Sequence, residues 1–262
     1  MFTSAYAYDR FMGRWSRLLA PRVVQFAEIP IHGHILDVGC GIGALALTIA
    51  EMMPECRVIG IDISEEYINY AKSRNNSAWV HFEIGDIQNL SYLDATFDNT
   101  LSLLALNFIP NVTRAVSEMV RVTKPGGKVV GAVWDYNDRM QMLRLFWDAV
   151  VDVDEKAAIF HEKRMPLCRS GELSSLWRSV GLDDINEQSL EIKMNFKSFQ
   201  DYWEPLLLGQ GPAGVYLKQL SHNDLTILRE AVKKHLGIQD ETVQFTLDGR
   251  AWAIRGSIPV GK

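Results

Sequence analysis

The chain has 262 residues, 47% of them hydrophobic and 23% charged, with a formal net charge of −5. That balance belongs to a soluble globular protein able to bury a core without staples, and it weighs against a nucleic-acid footprint, which needs clustered Lys and Arg. Cys40, Cys56 and Cys168 form no CxxC pair, so neither a disulfide framework nor a metal site is expected. A cytoplasmic setting is the expectation, with no secretory signal and no apolar run long enough to span a bilayer.

In chain order, "YDRFMGRWSRLLAP" reads as an amphipathic helix with Phe11, Trp15 and Leu18 inward. "HILDVG" (34–39) is a buried strand, followed by a helix through "ALALTIAEMM" that stops before Pro54. "RVIGIDI" (57–63) is the next strand, and Ser64 caps a helix whose first turn carries Glu65 and Glu66. "AWVHFEIGD" (78–86) and "FDNTLSLLALN" (97–107) are strands three and four. A helix through "VTRAVSEMVRVT" then leads by "KPGG" into strand five, 128–134. Strands separated by helices at this spacing predict an α/β fold with a doubly wound, mostly parallel sheet.

After Trp134 the rhythm changes. Helices are expected through "RMQMLRLFWDAVVDV", "SGELSSLWRSVGL" and "SHNDLTILREAVKKHLG", and a strand at 185–196. "VQFTLDGRAWAIRGSI" (within 243–258) reads as strand, turn, strand, with Asp-Gly at the tight turn. The division expected is 1–135, an N-terminal helical segment with the ligand-binding half of the sheet, and 136–262, the rest of the sheet. The latter carries an inserted, mainly helical cap at about 196–237.

"ILDVGCGIG" (35–43) places glycines at every second position after a strand, at the sheet end where such folds bind ligands. It reads GxGxG, not the dinucleotide GxGxxG. Asp62 ends strand two, where an acid accepts from a ribose diol. Asp86 ends strand three beside Ile87, which suits the amine and flat face of an adenine.

Together these stretches resemble class I S-adenosylmethionine-dependent methyltransferases. "ILDVGCGIG", "VIGIDIS", "GDIQNL", "FDNTLSLLALNFIPN" and "VTKPGGKVV" are similar to their successive motifs over about 30–135. "YDRFMGRWSRLLAP" and "GPAGVY…RAWAIRG" resemble a small-molecule subgroup related to quinone-biosynthesis enzymes. The resemblance implies a Rossmann-like sheet of seven strands and S-adenosylmethionine as cofactor, with S-adenosylhomocysteine as product. It implies that Asp37 holds the glycine loop and that Gly39, Cys40 and Gly41 line the methionine part. Asp62 would bind the ribose, Ile63, Asp86 and Ile87 the adenine, and Leu103 would lie near the sulfonium. Tyr8, Arg14 and Trp15 would fold over the cofactor, Arg14 pairing its carboxylate; the alternative is the plain amphipathic helix.

Methyl transfer from a sulfonium is an in-line displacement with an activated donor, and a base is needed only where the acceptor sheds a proton. Candidate bases are Asp135 and Tyr136, after strand five, and His161, which in "IFHEKRMP" reads as a solvated histidine. Trp134, Trp147, Phe199, Tyr202, Trp203 and Tyr216 are candidates to line an apolar acceptor pocket, or else pack in the core. The function expected is methyl transfer to a small, partly apolar acceptor. The alternatives are an inactive cofactor-binding partner or sensor subunit, and an NAD-dependent oxidoreductase.

Overall fold

The computed structural model describes residues 4–260. Helix α1 (Ala5–Tyr8), a π-helical turn (Asp9–Gly13) and α2 (Arg14–Ala27) form one helical stretch. Phe11 and Trp15 are buried, as expected, but Leu18 is 49% exposed. Leu19, Ala20 and Val23 take the inward stripe instead, one residue round the helix from Leu18.

The elements that follow are β1 (His34–Val38), α3 (Ala44–Met52), β2 (Arg57–Asp62), α4 (Glu65–Arg74), β3 (Val80–Ile84) and β4 (Phe97–Leu103). Next come a 3-10 turn (Leu106–Phe108), α5 (Val112–Val122), β5 (Thr123–Trp134) and α6 (Gln141–Val153). Two short 3-10 turns (Glu155–Phe160, Glu162–Arg164) precede α7 (Glu172–Ser179) and β6 (Asp183–Phe196). Last are α8 (Phe199–Leu207), α9 (Gly211–Leu217), α10 (His222–His235) and β7 (Phe245–Ser257). The seven strands lie in the order β3-β2-β1-β4-β5-β7-β6. The first five pair in parallel, and β7 runs antiparallel to β5 from Lys128↔Ser257 to Trp134↔Ala251. This is the α/β sheet the alternation predicts.

Two expectations of strand extent change. The strand holding "VHFEI" ends at Ile84, so Asp86 stands two residues beyond it. "KPGG" lies inside β5, which begins at Thr123, rather than ahead of it. The expected hairpin in 243–258 is absent: β7 is one continuous strand through Asp248 and Gly249. The reason is steric. A Cβ at Gly249 would lie 2.6 Å from the Met194 Cε, so the glycine makes room for the β6 side chain and turns nothing.

The chain forms two compact units. One holds Trp15–Trp134, Pro166–Leu190 and the residues from Ala251 on; the other holds the residues up to Arg14, Asp135–Met165 and Glu191–Arg250. The expected cap at about 196–237 thus forms part of a unit that also takes in α6 and the first helical residues. In the sheet unit, Leu36, Val38, Phe97, Val116, Met119, Val129, Trp177 and Ile254 make the core. Trp177 donates its Nε1–H to the Val129 carbonyl at 3.0 Å. Its ring fits because Gly131 and Gly256 leave space: a Cβ on either would come within 2.9 Å of the indole. In the helical unit α6 packs on α10, and Phe146, Trp147, Tyr202 and Phe199 are fully buried.

Candidate functional site

The glycine loop is shaped by backbone bonds to the neighbouring strand. The N–H groups of Gly39 and Cys40 both donate to the Ile61 carbonyl, at 2.8 and 2.9 Å. Gly39, Gly41 and Gly43 all take left-handed φ, of +70°, +54° and +83°, which accounts for a glycine at every second position. Two of them also have no room for a side chain. A Cβ on Gly39 would stand 2.6 Å from the Ala105 Cβ, and one on Gly43 2.9 Å from the Phe82 ring. Gly41 is different: its nearest neighbour would be Tyr67, at 3.9 Å, so this turn presents open backbone.

Asp37 ties β1 to the helix that follows the turn. It is fully buried, and its Oδ2 accepts from the Ala46 N–H in the first turn of α3, at 3.0 Å. Its Oδ1 has no partner among the described residues. Burial pushes its carboxyl up to about 7, against the pull of the Ala46 N–H. Cys40 is buried too, and burial raises its thiol well above the ordinary value.

Asp62 ends β2 with one oxygen accepting from the Gly41 N–H and the other from the Ser64 N–H, each at 2.9 Å. Partial burial raises its carboxyl, while these N–H groups and that of Ile63 oppose the shift. Ser64 caps α4 by accepting from the Tyr67 N–H, as its position predicts. Ile63 is 74% exposed, an unusual setting for a branched aliphatic next to a strand end. Beyond β3, Asp86 accepts from the Gln88 N–H at 2.8 Å, and Ile87 beside it is buried. Leu103, at the end of β4, is nearly buried, and Leu104 after it has a φ of +62°.

Open backbone at Gly41, a carboxylate beside it on Asp62 and an exposed aliphatic at Ile63 fit a nucleoside with a polar tail. The orphaned Asp37 Oδ1 agrees with a site that is completed by a ligand or its water. The donor set suits S-adenosylmethionine.

The remaining sequence candidates are placed as follows. Arg14 donates to the Asp201 Oδ1 at 2.8 Å and to the Asp201 carbonyl at 3.0 Å, and stacks 4.9 Å over the Phe196 ring. Burial lowers its pKa, with Asp201 opposing. Tyr8 lies in the same helical unit, whereas Trp15 is a core residue of the sheet unit. Asp135 is 1% exposed, and its lone pairs are committed: Oδ1 accepts from the Asp138 N–H at 3.0 Å, and Oδ2 from Arg250, with Nε at 2.8 Å. Tyr136 is buried beside it in the chain.

His161 is not solvated, contrary to its charged sequence context; it is 4% exposed. Its Nδ1 accepts from the Lys163 N–H and its ring stacks on Trp147, so burial, with Lys163, lowers its pKa. Glu162, which sequence reasoning passed over among neighbouring charges, accepts from the Trp147 Nε1 at 2.7 Å. Its carboxyl is pushed up to about 7 by burial. Phe199, Tyr202 and Trp203 pack on one another, and the Tyr202 hydroxyl donates to the Met142 carbonyl. Tyr216 does line an opening. With Phe160, Pro212, Val215 and Gln219 it walls a groove of about 360 Å³. Trp134 is buried at the end of β5.

Residues 35–127 match the model of a family described as a methyltransferase domain. The chain is similar to a demethylmenaquinone methyltransferase of Symbiobacterium thermophilum, at 33% identity over 45% of this chain and 49% of that one. It is also similar to a 24-methylenesterol C-methyltransferase of Oryza sativa subsp. japonica, at 27% identity over 83% and 58%. The chain thus spans about half the length of the curated relatives it matches. Among solved structures it shares its fold with phosphoethanolamine N-methyltransferase 2 of Haemonchus contortus in complex with S-adenosyl-L-methionine. The TM-score is 0.60 at 18% identity, covering 98% of this chain and 57% of that one. The glycine loop, Asp62 and Asp86 all lie inside the stretch that matches the methyltransferase-domain model.

Proposed function

We propose that this protein transfers a methyl group from S-adenosylmethionine to a small, partly apolar acceptor. The observation that carries the reading is the Gly41–Asp62–Ile63 arrangement: a glycine with room beside its Cα, a carboxylate fixed on that glycine's N–H and an exposed aliphatic around one strand end. In this reading Asp62 accepts from the ribose hydroxyls, Ile63 and Ile87 flank the adenine, and Asp86 accepts from its amine. Gly39, Cys40 and Gly41 line the methionine portion and Leu103 lies near the sulfur. When bound, the cofactor supplies a methyl group already activated on a sulfonium. The protein's work is then to hold donor and nucleophile in line and keep water out. Asp135, bound to Arg250 and the Asp138 N–H, serves in this reading as a strut after β5 rather than as a base.

The acceptor class is supported by relatives named for a quinone and for sterols. The net charge of −5 argues against nucleic acid as substrate. No described helix is long and apolar enough to cross a membrane, and three buried free thiols suit a reducing cytoplasm. Isothermal titration with S-adenosylmethionine and with NAD tests the reading. Binding of the former alone is expected, and preference for NAD overturns it.

A further inference from the structure

At the carboxyl ends of the neighbouring strands β4 and β5, buried donors on Ser102, Asn107 and Trp134 have no acceptor among the described residues, and the two nitrogens are the stronger donors. Asn107, in the 3-10 turn just beyond β4, is 5% exposed, and its Nδ2 is unpartnered. Trp134, which closes β5, is 1% exposed, and its Nε1 is unpartnered too. The strands pair in parallel up to Leu103↔Ala132, and the turn packs on β5. Ala105, at the start of that turn, is the residue that crowds Gly39, so the donors belong to the sheet end that carries the glycine loop. Between β4 and the turn, Leu104 holds a φ of +62°, a strained setting for a branched side chain, fixed by its N–H on the Ala132 carbonyl at 2.7 Å.

Folded chains seldom leave buried N–H groups unmade, because each keeps its desolvation cost with no return. Trp177, buried in the same unit, follows that rule by bonding the Val129 carbonyl. Asn107 and Trp134 break it at the end of the sheet where ligands bind.

We propose that Asn107, seconded by Trp134, donates to an oxygen of the methyl acceptor and so selects acceptors with a carbonyl, enolate or phenolate oxygen at the reacting end. The inference rests on the methyltransferase reading above and narrows it to a substrate class. A neutral amine has one lone pair, which must attack the methyl group and leaves none for these donors, whereas an oxygen keeps a second, so amines are disfavoured. Both nitrogens are shut off from solvent in the free protein, so the oxygen enters as neighbouring side chains part. Until then these two donors stay unpartnered. The cofactor's own carboxylate offers the same oxygen chemistry and is the competing source.

Asn107→Leu keeps the branched outline and removes the donor. Its free form should unfold at a higher temperature than the wild type, because the unmade bond is gone; a lower midpoint overturns the proposal. Titration with S-adenosylhomocysteine and with 5′-methylthioadenosine, which lacks the amino-acid end, separates the two oxygen sources. Affinities unchanged for both are expected, whereas a loss for S-adenosylhomocysteine alone assigns Asn107 to the cofactor and overturns the acceptor role. With S-adenosylhomocysteine bound, the wild type should bind 1-naphthol at least about tenfold more tightly than 1-naphthylamine, a preference that Asn107→Leu erases. Trp134→Phe gives the same reading if the first variant does not fold. Equal affinity of the wild type for both probes, or for neither, overturns the proposal. Failure of the wild type to bind S-adenosylhomocysteine removes the methyltransferase reading itself, a distinct result.

Discussion

The carboxylate of Asp62 accepts a hydrogen bond from the backbone N–H of Gly41 at 2.9 Å, tying the end of β2 to the middle of the glycine loop that follows β1. One side chain therefore shapes the loop, and in the proposed reading the same carboxylate binds the ribose. Asp62→Ala should weaken S-adenosylhomocysteine at least about tenfold, since charge-assisted bonds to carboxylates are among the stronger ones. Asp62→Asn, which keeps one acceptor oxygen, should lose less. Titration calorimetry on the two variants checks the order, and unchanged affinity in Asp62→Ala would remove the ribose role.

The loop glycines should separate by function. Gly39→Ala drives a Cβ to within 2.6 Å of Ala105 at a φ of +70°, so it should cost stability and distort the loop. Gly41→Ala meets nothing closer than 3.9 Å, so its thermodynamic cost is only that of a left-handed alanine, about 1–2 kcal/mol. Yet its methyl group stands in the space read as the ligand's. Denaturant unfolding should rank Gly39→Ala as the less stable variant, while both bind the cofactor poorly. Full binding by Gly41→Ala would place the ligand elsewhere.

Asp37 predicts a pH dependence. Its folded carboxyl titrates near 7 against 3.8 for the ordinary group, because burial disfavours the charge. Between those values the folded protein keeps a proton that the unfolded chain has released, so stability falls as pH rises through the window and levels off above it. Asp37→Asn still offers an oxygen to the Ala46 N–H and cannot ionise. It should remove up to about 3 kcal/mol of the stability lost between about pH 5 and about pH 8 in urea unfolding. Glu162, raised in the same direction, contributes a second slope over the same range that Glu162→Gln should flatten.

Arg250→Met should destabilise by about 3 kcal/mol, because it strands the buried Asp135 carboxylate with only the Asp138 N–H for company. Adding Asp135→Asn should recover most of the loss. A double variant as unstable as the single one would show that Arg250 acts through packing and not through charge.

The sheet and the conformation of the glycine loop were legible because period, capping and glycine spacing agree there. Ser64 caps where it should, and the three loop glycines all prove left-handed. The hairpin expected at Asp248-Gly249 failed because Asp-Gly is a local signal, whereas the space at Gly249 is demanded by Met194, on a strand far away in sequence. His161 and Glu162 illustrate the same limit. A run of charged residues suggests solvent, but Trp147 supplies a ring for one and a donor for the other, and neither is visible from the segment itself. Aromatic residues of core and of pocket wall share one sequence signature. Both Phe199 and Tyr216 are buried, and only the folded packing shows that Tyr216 edges a groove. Asn107 carried one faint signal, a lone amide in the apolar run "ALNFIP".

The position of β7 has a consequence for synthesis. Residues 251–257 pair with β5, and β7 separates β5 from β6, yet they are translated after the other six described strands. While the chain emerges from the ribosome, the outer rim of β5 offers open backbone groups, and β6 waits without its neighbour. Pairing Lys128 with Ser257 closes a loop of well over a hundred residues, so closure of the sheet is a late and slow event. Until that pairing forms, the rim of β5 is an open strand edge of the kind that pairs with other chains.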